Sequence, residues 1–517
     1  MKCIRELKVP FQKNPELIRI VAEKLGLPAA DIGSVRVIKQ SLDARKRHRL
    51  MLVYSVEVYM KGESAEKGFA PFPKLKWGGP PPIVIGSGPA GMFAAWTFLE
   101  HGISPVLLER GERTKERMRK VGRYWRYGEL DPDSNVCNGE GGAGTFSDGK
   151  LITRIKSPLI ARVMQTFINY GAPEEIAYVY NPHVGSNLIR KVVTRMNDDL
   201  AARGGKIRFN SRVESLELAG RDVQGVVLAG GERIAGTGVV LACGHSARSF
   251  FHTLREQGVH CEPKPFALGL RIEHPQRYIN AWQYGKRADE SELGAAEYKV
   301  AHHWDREALG VYSFCMCPGG YVIPSSTEAD GIVVNGMSNY QRNSPWGSAG
   351  LVCSVPVERV EGNDAFKLMR FQEELERKAF QMSSELGDPK KVPAQRLEDF
   401  LARRLGKKTL NSSCLSGVVS ANVAELLPDW IYKCLAEGIM AIDKRRRGFA
   451  YPDAVLHAVE SRTSSAIRIT RDPERMENVN TPGLFPCGEG AGYAGGITSA
   501  AIDGINAALA WIRKFQS

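Results

Sequence analysis

The sequence predicts an α/β protein organised around a nucleotide-binding unit, and three stretches of chain predict it. A strand–turn–helix–strand pattern starts near Pro81 and carries a GxGxxG turn. The run Val239-Val240-Leu241-Ala242-Cys243-Gly244 reads as a buried strand closed by glycine. Residues 483–497 give strand, glycine loop and helix start once more.

The chain has 517 residues, 43% of them hydrophobic, which is ample for two to four domains. No run approaches the roughly 18 apolar residues of a spanning helix. The first residues, Met1-Lys2-Cys3-Ile4-Arg5-Glu6, lack the apolar core of a signal peptide. A cytoplasmic location is therefore expected. The ten cysteines are scattered and form no CxxC pair, so no metal site is expected. Net charge is +13, and residues 1–79 hold 16 Lys/Arg against 8 Asp/Glu. A basic surface of this kind attracts nucleic acid or an acidic partner. No RNA-binding signature accompanies it, so a solvated basic face is the plainer reading.

Taken in order, residues 1–63 read as a small α/β unit. Residues 4–9, 35–38 and 50–60 are strand-like, and Asn14-Pro15-Glu16 opens a helix that Gly26 stops. The basic run Arg45-Lys46-Arg47-His48-Arg49 separates the last two strands. Residues 62–82, rich in Gly and Pro, read as a linker. The strand Ile83-Val84-Ile85 leads into Gly86-Ser87-Gly88-Pro89-Ala90-Gly91 and a helix that ends at His101-Gly102. Gly86 permits the tight turn, Gly88 admits a pyrophosphate to the backbone, and Gly91 lets helix and strand pack closely. The helix start offers free N–H groups and the positive end of a dipole to phosphates. Glu109, eighteen residues after Gly91, ends the next strand, where an acid accepts from the adenosine ribose; Arg110 follows it. Gly139-Glu140-Gly141-Gly142-Ala143-Gly144 also fits GxGxxG, but no strand precedes it. It is expected to lie against the bound pyrophosphate and the rest of the same ligand. Short β-type runs follow at 207–209, 213–218 and 223–228, then strand-rich 265–355 and mostly helical 361–440.

The C-terminal stretch Gly483-Leu484-Phe485-Pro486-Cys487-Gly488-Glu489, running through Gly495-Gly496 into Ile497, resembles the second FAD motif of glutathione-reductase-like flavoproteins. In that superfamily the acid contacts the ribityl chain and the helix start faces the flavin. NAD enzymes lack this element, so the resemblance implies FAD, held non-covalently. A narrower resemblance spans nearly the whole chain. It is to a bacterial and plastid group of FAD-dependent dehydrogenases, or NAD(P)/FAD-dependent oxidoreductases, of unknown substrate. Ser41 to Lys46, GEGGAGTFSDGKL at 139–151, PHVG at 182–185, CMCPGG at 315–320, NGMS at 335–338 and ESRTSS at 460–465 carry it. The resemblance implies a discontinuous Rossmann-type (three-layer ββα) FAD-binding domain, at 80–265 and 450–517. An α+β substrate domain is inserted at 266–449, and a small basic domain with its linker occupies 1–79. This layout resembles the p-hydroxybenzoate hydroxylase and fumarate reductase branch. The cofactor-binding candidates are Gly86, Ser87, Gly88, Pro89, Ala90, Gly91, Glu109, Arg110, Gly141, Gly142, Lys150, Val213, Ala242, Gly244, Gly488, Glu489, Gly496 and Ile497.

Candidates for chemistry are fewer. Tyr321, after two glycines, is either a proton donor near the flavin or a packed aromatic. His183 and His245 are either proton shuttles or structural hydrogen-bonding residues. Arg462 either clamps a carboxylate substrate or sits in an internal ion pair. Lys150 and Arg154 are candidates to neutralise FAD phosphates. Lys444-Arg445-Arg446-Arg447 reads as a solvated run. Cys315 and Cys317 would face one side of an extended strand. Strain opposes a disulfide between them, so buried structural thiols are expected. The function these features imply is an oxidoreductase exchanging a hydride between flavin N5 and a small organic substrate. The alternatives are a monooxygenase, a flavoprotein recruited to RNA or an acidic partner, and a reductase for which NAD(P)H is a transient electron donor.

Overall fold

A computed structural model describes residues 1–12, 14–46, 49–64, 68–304 and 309–516. The N-terminal unit is an antiparallel sheet of Lys2–Pro10, Met51–Met60 and Ile32–Asp43, with Met51–Met60 in the middle. Leu52, Tyr54, Val56 and Val58 alternate inward on that central strand. Helix Leu17–Leu25 covers the inner face, and Gly26 ends it in the left-handed region at φ 63°. The edge strand Ile32–Asp43 is longer than the expected 35–38 because Ser34, Lys39, Gln40 and Ser41 break its apolar pattern without ending its pairing. Arg47 and His48 of the basic run, and residues 65–67 of the linker, lie outside the described residues. Trp77 of the linker packs edge-on against Trp511, ring centroids 5.0 Å apart.

Five three-residue strands form a parallel sheet in the order Leu484–Pro486, Val239–Leu241, Ile83–Ile85, Val106–Leu108, Lys206–Arg208. Segments almost 400 residues apart thus meet in one sheet. Its inner strands are buried on both faces, as parallel sheets require. Val84, Leu107, Val240 and Phe485 pack on helices Pro89–Glu100 and Ile497–Gln516. Ile83, Ile85, Val106 and Leu108 pack on the opposite side against Val213, Leu216 and Val226 of a three-stranded antiparallel sheet. That gives three layers: helices, parallel sheet, antiparallel sheet.

A seven-stranded sheet forms the second core. Its order is Ala301–His303, Gly310–Cys317, Trp346–Val355, Phe266–Pro275, Val455–Glu460, Val392–Arg396, Val418–Ser420. Phe266–Pro275 is buried almost throughout and pairs on both sides. Val455–Glu460 belongs to this sheet, so the chain returns to the nucleotide sheet only beyond Glu460 rather than at 450. Helices Lys367–Glu385 and Asp429–Arg445 pack beside the sheet. The hairpin Gly320–Pro324/Val334–Ser338 projects toward the second glycine loop, where Ile323 packs with Val136 and Phe146.

Candidate functional site

A cavity of about 530 Å³ lies where the two cores meet. Gly86 turns the chain after the first parallel strand at φ +100°, and a Cβ there would stand 2.4 Å from Ala242 O. Only glycine fits this turn. A Cβ on Gly88 would meet no protein atom within 4 Å, and Gly88 lines the cavity. Its backbone is therefore open to a ligand, the cradle a pyrophosphate needs. Gly91 closes the turn from behind, its ideal Cβ only 1.8 Å from Gly86 O. The second glycine loop locks onto the first: Gly141 N donates to Ser87 O at 3.1 Å, and Gly142 approaches Gly88 Cα. Two helices begin on the cavity wall, one at Pro89 and Ala90, the other at Gly496 and Ile497. Each brings unpaired N–H groups and a positive dipole end.

Glu109 binds the two glycine loops together. Its Oε2 accepts from Ser87 N (2.9 Å) and Ser87 Oγ (2.8 Å), its Oε1 from Gly111 N and Gly139 N, both 2.9 Å. Four donors fill the acceptor capacity of a carboxylate. Glu109 lines the cavity, but its side chain serves the loops rather than standing free for a ribose. Arg110, Val213, Ala242 and Gly244 line the same end. Arg110 is held by Asp133 at 3.1 Å. Ser87, Gly91 and Gly141 shape the turns without bordering the cavity.

At the other end Gly488 and Glu489 line the wall. Burial pushes the Glu489 carboxyl up to about 7, with Lys264 opposing. Among the described residues no hydrogen bond reaches that carboxylate. Lys150 lines this end too, not the phosphate turns, and is compensated by Asp148 (3.0 Å) and Glu297 (3.2 Å). Its charge is already compensated by these two carboxylates within the protein. Arg154 is exposed and outside the cavity. Asp148 also takes Arg342 Nε at 2.9 Å. Against burial, Lys150 and Arg342 hold its carboxyl below the usual range.

Arg462 resolves as an internal ion pair. It meets Glu376 at 2.7 Å and Glu328 more closely, and donates to Ser246 Oγ at 2.9 Å. Arg248 pairs with the same Glu376 at 2.7 Å. Against burial, Arg462 and Arg248 hold Glu376 far below the usual carboxylate range. Beside this cluster His245 borders the cavity, and burial, with Arg462 and Arg248 adding, drives it down to about 3. It is a neutral imidazole at pH 7 and accepts or donates a hydrogen bond with Ser246 Oγ at 2.9 Å.

Tyr321 and His183 do not border the cavity. Tyr321 packs on the Val121–Phe146 cluster from the outer side of its hairpin. His183 stacks on Tyr340, its Nε2 3.1 Å from Tyr340 O, and burial, then Arg342, lowers it. Lys444 to Arg447 are exposed at the end of their helix. Sequence reading missed Asp148, Phe314, Asn335 and Thr463. Their signal was present: Asp148, Asn335 and Thr463 all stand in the quoted family stretches, and Phe314 immediately precedes one.

A second cavity of about 480 Å³ adjoins the first and shares Phe314, Thr463 and Ser464 with it. Its other walls include Phe266, Tyr312 and Val357.

Residues 265–463 match the family described as FAD-dependent protein, C-terminal domain-like, and residues 1–59 match a domain of unknown function. An uncharacterised protein of Clostridium beijerinckii is 38% identical over 513 residues, 96% of this chain and 95% of that protein. The chain belongs to the family of this clostridial protein. Among solved structures, the flavin-dependent brominase Bmp2 is similar with TM-score 0.38 and 12% identity, covering 85% of this chain and 80% of that one. CtdE in complex with FAD is similar with TM-score 0.31 and 12% identity, covering 83% and 84%.

Proposed function

We propose that the protein is an FAD-dependent oxidoreductase acting on a small organic molecule. One observation carries this reading: two helix starts, after Gly88 and after Gly496, open onto a single continuous cavity. The Gly88 cradle fits a pyrophosphate, since nothing else occupies the space a side chain would take. On this reading Gly86, Gly88 and Gly142 hold the diphosphate, Arg110 and Val213 border the adenosine, and Gly488, Glu489 and Ile497 border the ribityl chain and ring. When bound, the isoalloxazine supplies two-electron redox chemistry.

The chain's own residues then do three things. The Ile497 helix start places positive potential where negative charge collects. Glu489 holds a proton below about pH 7 and is free to give it to the ring end of the cavity. Asp148, Lys150 and Glu297 form a fixed charge cluster that orients this wall. The second cavity, across Phe314, is the place for the substrate. Dehydrogenation or reduction is the proposed direction, with NAD(P)H as one source of electrons. The test is anaerobic: reconstitute with FAD, then screen metabolites and NADPH for bleaching of the flavin absorbance. Bleaching by one substrate class supports the reading. Uptake of FAD without bleaching by any reductant, chemical dithionite included, would refute it.

A further inference from the structure

Strand Gly310–Cys317 loses register with Trp346–Val355 at its cavity end. Phe314 opposes Gly350 and Cys317 opposes Ser348, so one extra residue is accommodated between them. Cys315 takes up the irregularity at φ +39°, in the left-handed region that side-chain-bearing residues enter only at a cost. The bulge separates two residues that an extended strand would put on one side. Cys315 borders the cavity, with Phe314 and Asn335 beside it. Cys317 is fully buried, its Sγ 3.6 Å from Cys315 O. Strain of this kind, confined to one cavity residue, marks a site where position matters more than stability.

The surroundings of Cys315 favour its anion. The neighbouring Cys317 side chain and, against burial, the Arg271 guanidinium and the Lys150 ammonium draw the Cys315 thiol down from its ordinary range. Glu460, which pairs with Arg271 at 2.8 Å, and Glu489 across the cavity are the opposing charges. Cys317 is pushed up by its neighbour Cys315 and by burial. The other cavity cysteines go the opposite way. Burial raises Cys243 to about 12 and raises Cys137 as well.

We propose that Cys315 is a nucleophilic thiolate of this cavity, that Cys317 is its positioning residue, and that the site takes small molecules bearing a disulfide. Thiolates attack sulfur electrophiles fastest when their pKa lies near the ambient pH. In the step, the Cys315 thiolate attacks one sulfur of R–S–S–R. The Cys315–S–S–R bond forms as the original S–S bond breaks, and the leaving R–S⁻ takes a proton from solvent. One thiol-level sulfur and one disulfide stand on each side, so no outside electrons are needed. The inference deepens the proposed function by naming a substrate class, and rests on it only in setting the thiolate beside the cofactor's ring end.

The test uses the full chain with and without FAD, hydroxyethyl disulfide as probe, and peptide mass mapping of the mixed disulfides. Cys315 is expected to label at least about tenfold faster than Cys137 or Cys243 at neutral pH. Its rate should be half-maximal below the pH of an ordinary thiol. Cys317→Ala should move that midpoint upward, and Cys317→Ser, which keeps a donor, should restore part of the shift. Labelling of Cys315 no faster than Cys243, with and without cofactor, would overturn the proposal. So would a midpoint indifferent to Cys317→Ala. FAD uptake read by fluorescence on the same samples separates the two claims: a reactive Cys315 in a chain that takes up no FAD sinks the flavin reading alone.

Discussion

At the nucleotide end the cavity wall is backbone: Gly86, Gly88, Gly142 and two helix starts, braced by the fully bonded Glu109. At the end proposed for the ring the wall is side chains drawn from distant segments, among them Asp148, Lys150, Cys315 and Glu489, and Arg462 borders the same cavity. On the proposed reading the first end recognises its ligand through shape and N–H groups, so it tolerates almost no change of residue. The second sets charge, and its groups compensate one another. Arg462 and Arg248 face Glu376 and Glu328, while Lys150 and Arg342 face Asp148. Function at one end is written in backbone conformation and at the other in electrostatic balance.

The comparison breaks most visibly at Glu376. Glu376→Gln leaves two buried guanidinium groups short of charge, and urea unfolding should register a loss of about 3–5 kcal/mol. The folded carboxyl lies below its unfolded value, so its contribution is present above the ordinary carboxylate range and disappears as pH falls through the folded value. Stability of the variant should therefore depend less on acid than that of the parent. A loss under about 1 kcal/mol, the size of a surface pair, would mean the cluster is not tightly balanced.

Gly88→Asp probes the other end. No protein atom lies within 4 Å of the new Cβ, so the fold should persist. The added carboxylate should cost about 100-fold in FAD affinity, roughly 2.7 kcal/mol, by fluorescence titration. Gly86→Ala, whose Cβ would strike Ala242 O, should lose folding and cofactor together. Equal affinity in Gly88→Asp and the parent would place the phosphates elsewhere.

Glu489→Gln has a smaller effect. The folded Glu489 carboxyl titrates near 7, above its ordinary value, so its negative charge appears at the ring end only as pH rises through that point. Flavin reduction in the parent should slow above neutrality, by about fivefold, and the variant should be flat with pH. A step that survives in the variant assigns the titration to another group. Tyr321→Phe should do least, leaving FAD affinity and reduction within about twofold, as for a residue packed outside the cavity.

Backbone recognition was legible in the sequence because it depends on glycines at fixed spacing. Ile83 to Gly91, the closing strand at 239–244 and residues 483–497 converge as their patterns imply. The ring end was less legible. Asp148, Asn335 and Cys315 reach the cavity through sheet order and a single bulge, neither of which has a local period. Arg462 was read as either clamp or ion pair, and the choice turned on Glu376, 86 residues away on a separate helix. His183 and Tyr321 stood near glycine or proline turns, a cue that marks bends in the chain but not the direction a side chain takes from them.

The central claim is that both helix starts serve one flavin nucleotide. Its most direct test is the visible absorbance of the chain after equilibration with FAD and removal of free cofactor, run beside Gly88→Asp. The account predicts one flavin per parent chain and none on the variant. A folded parent chain that stays colourless after reconstitution would contradict it.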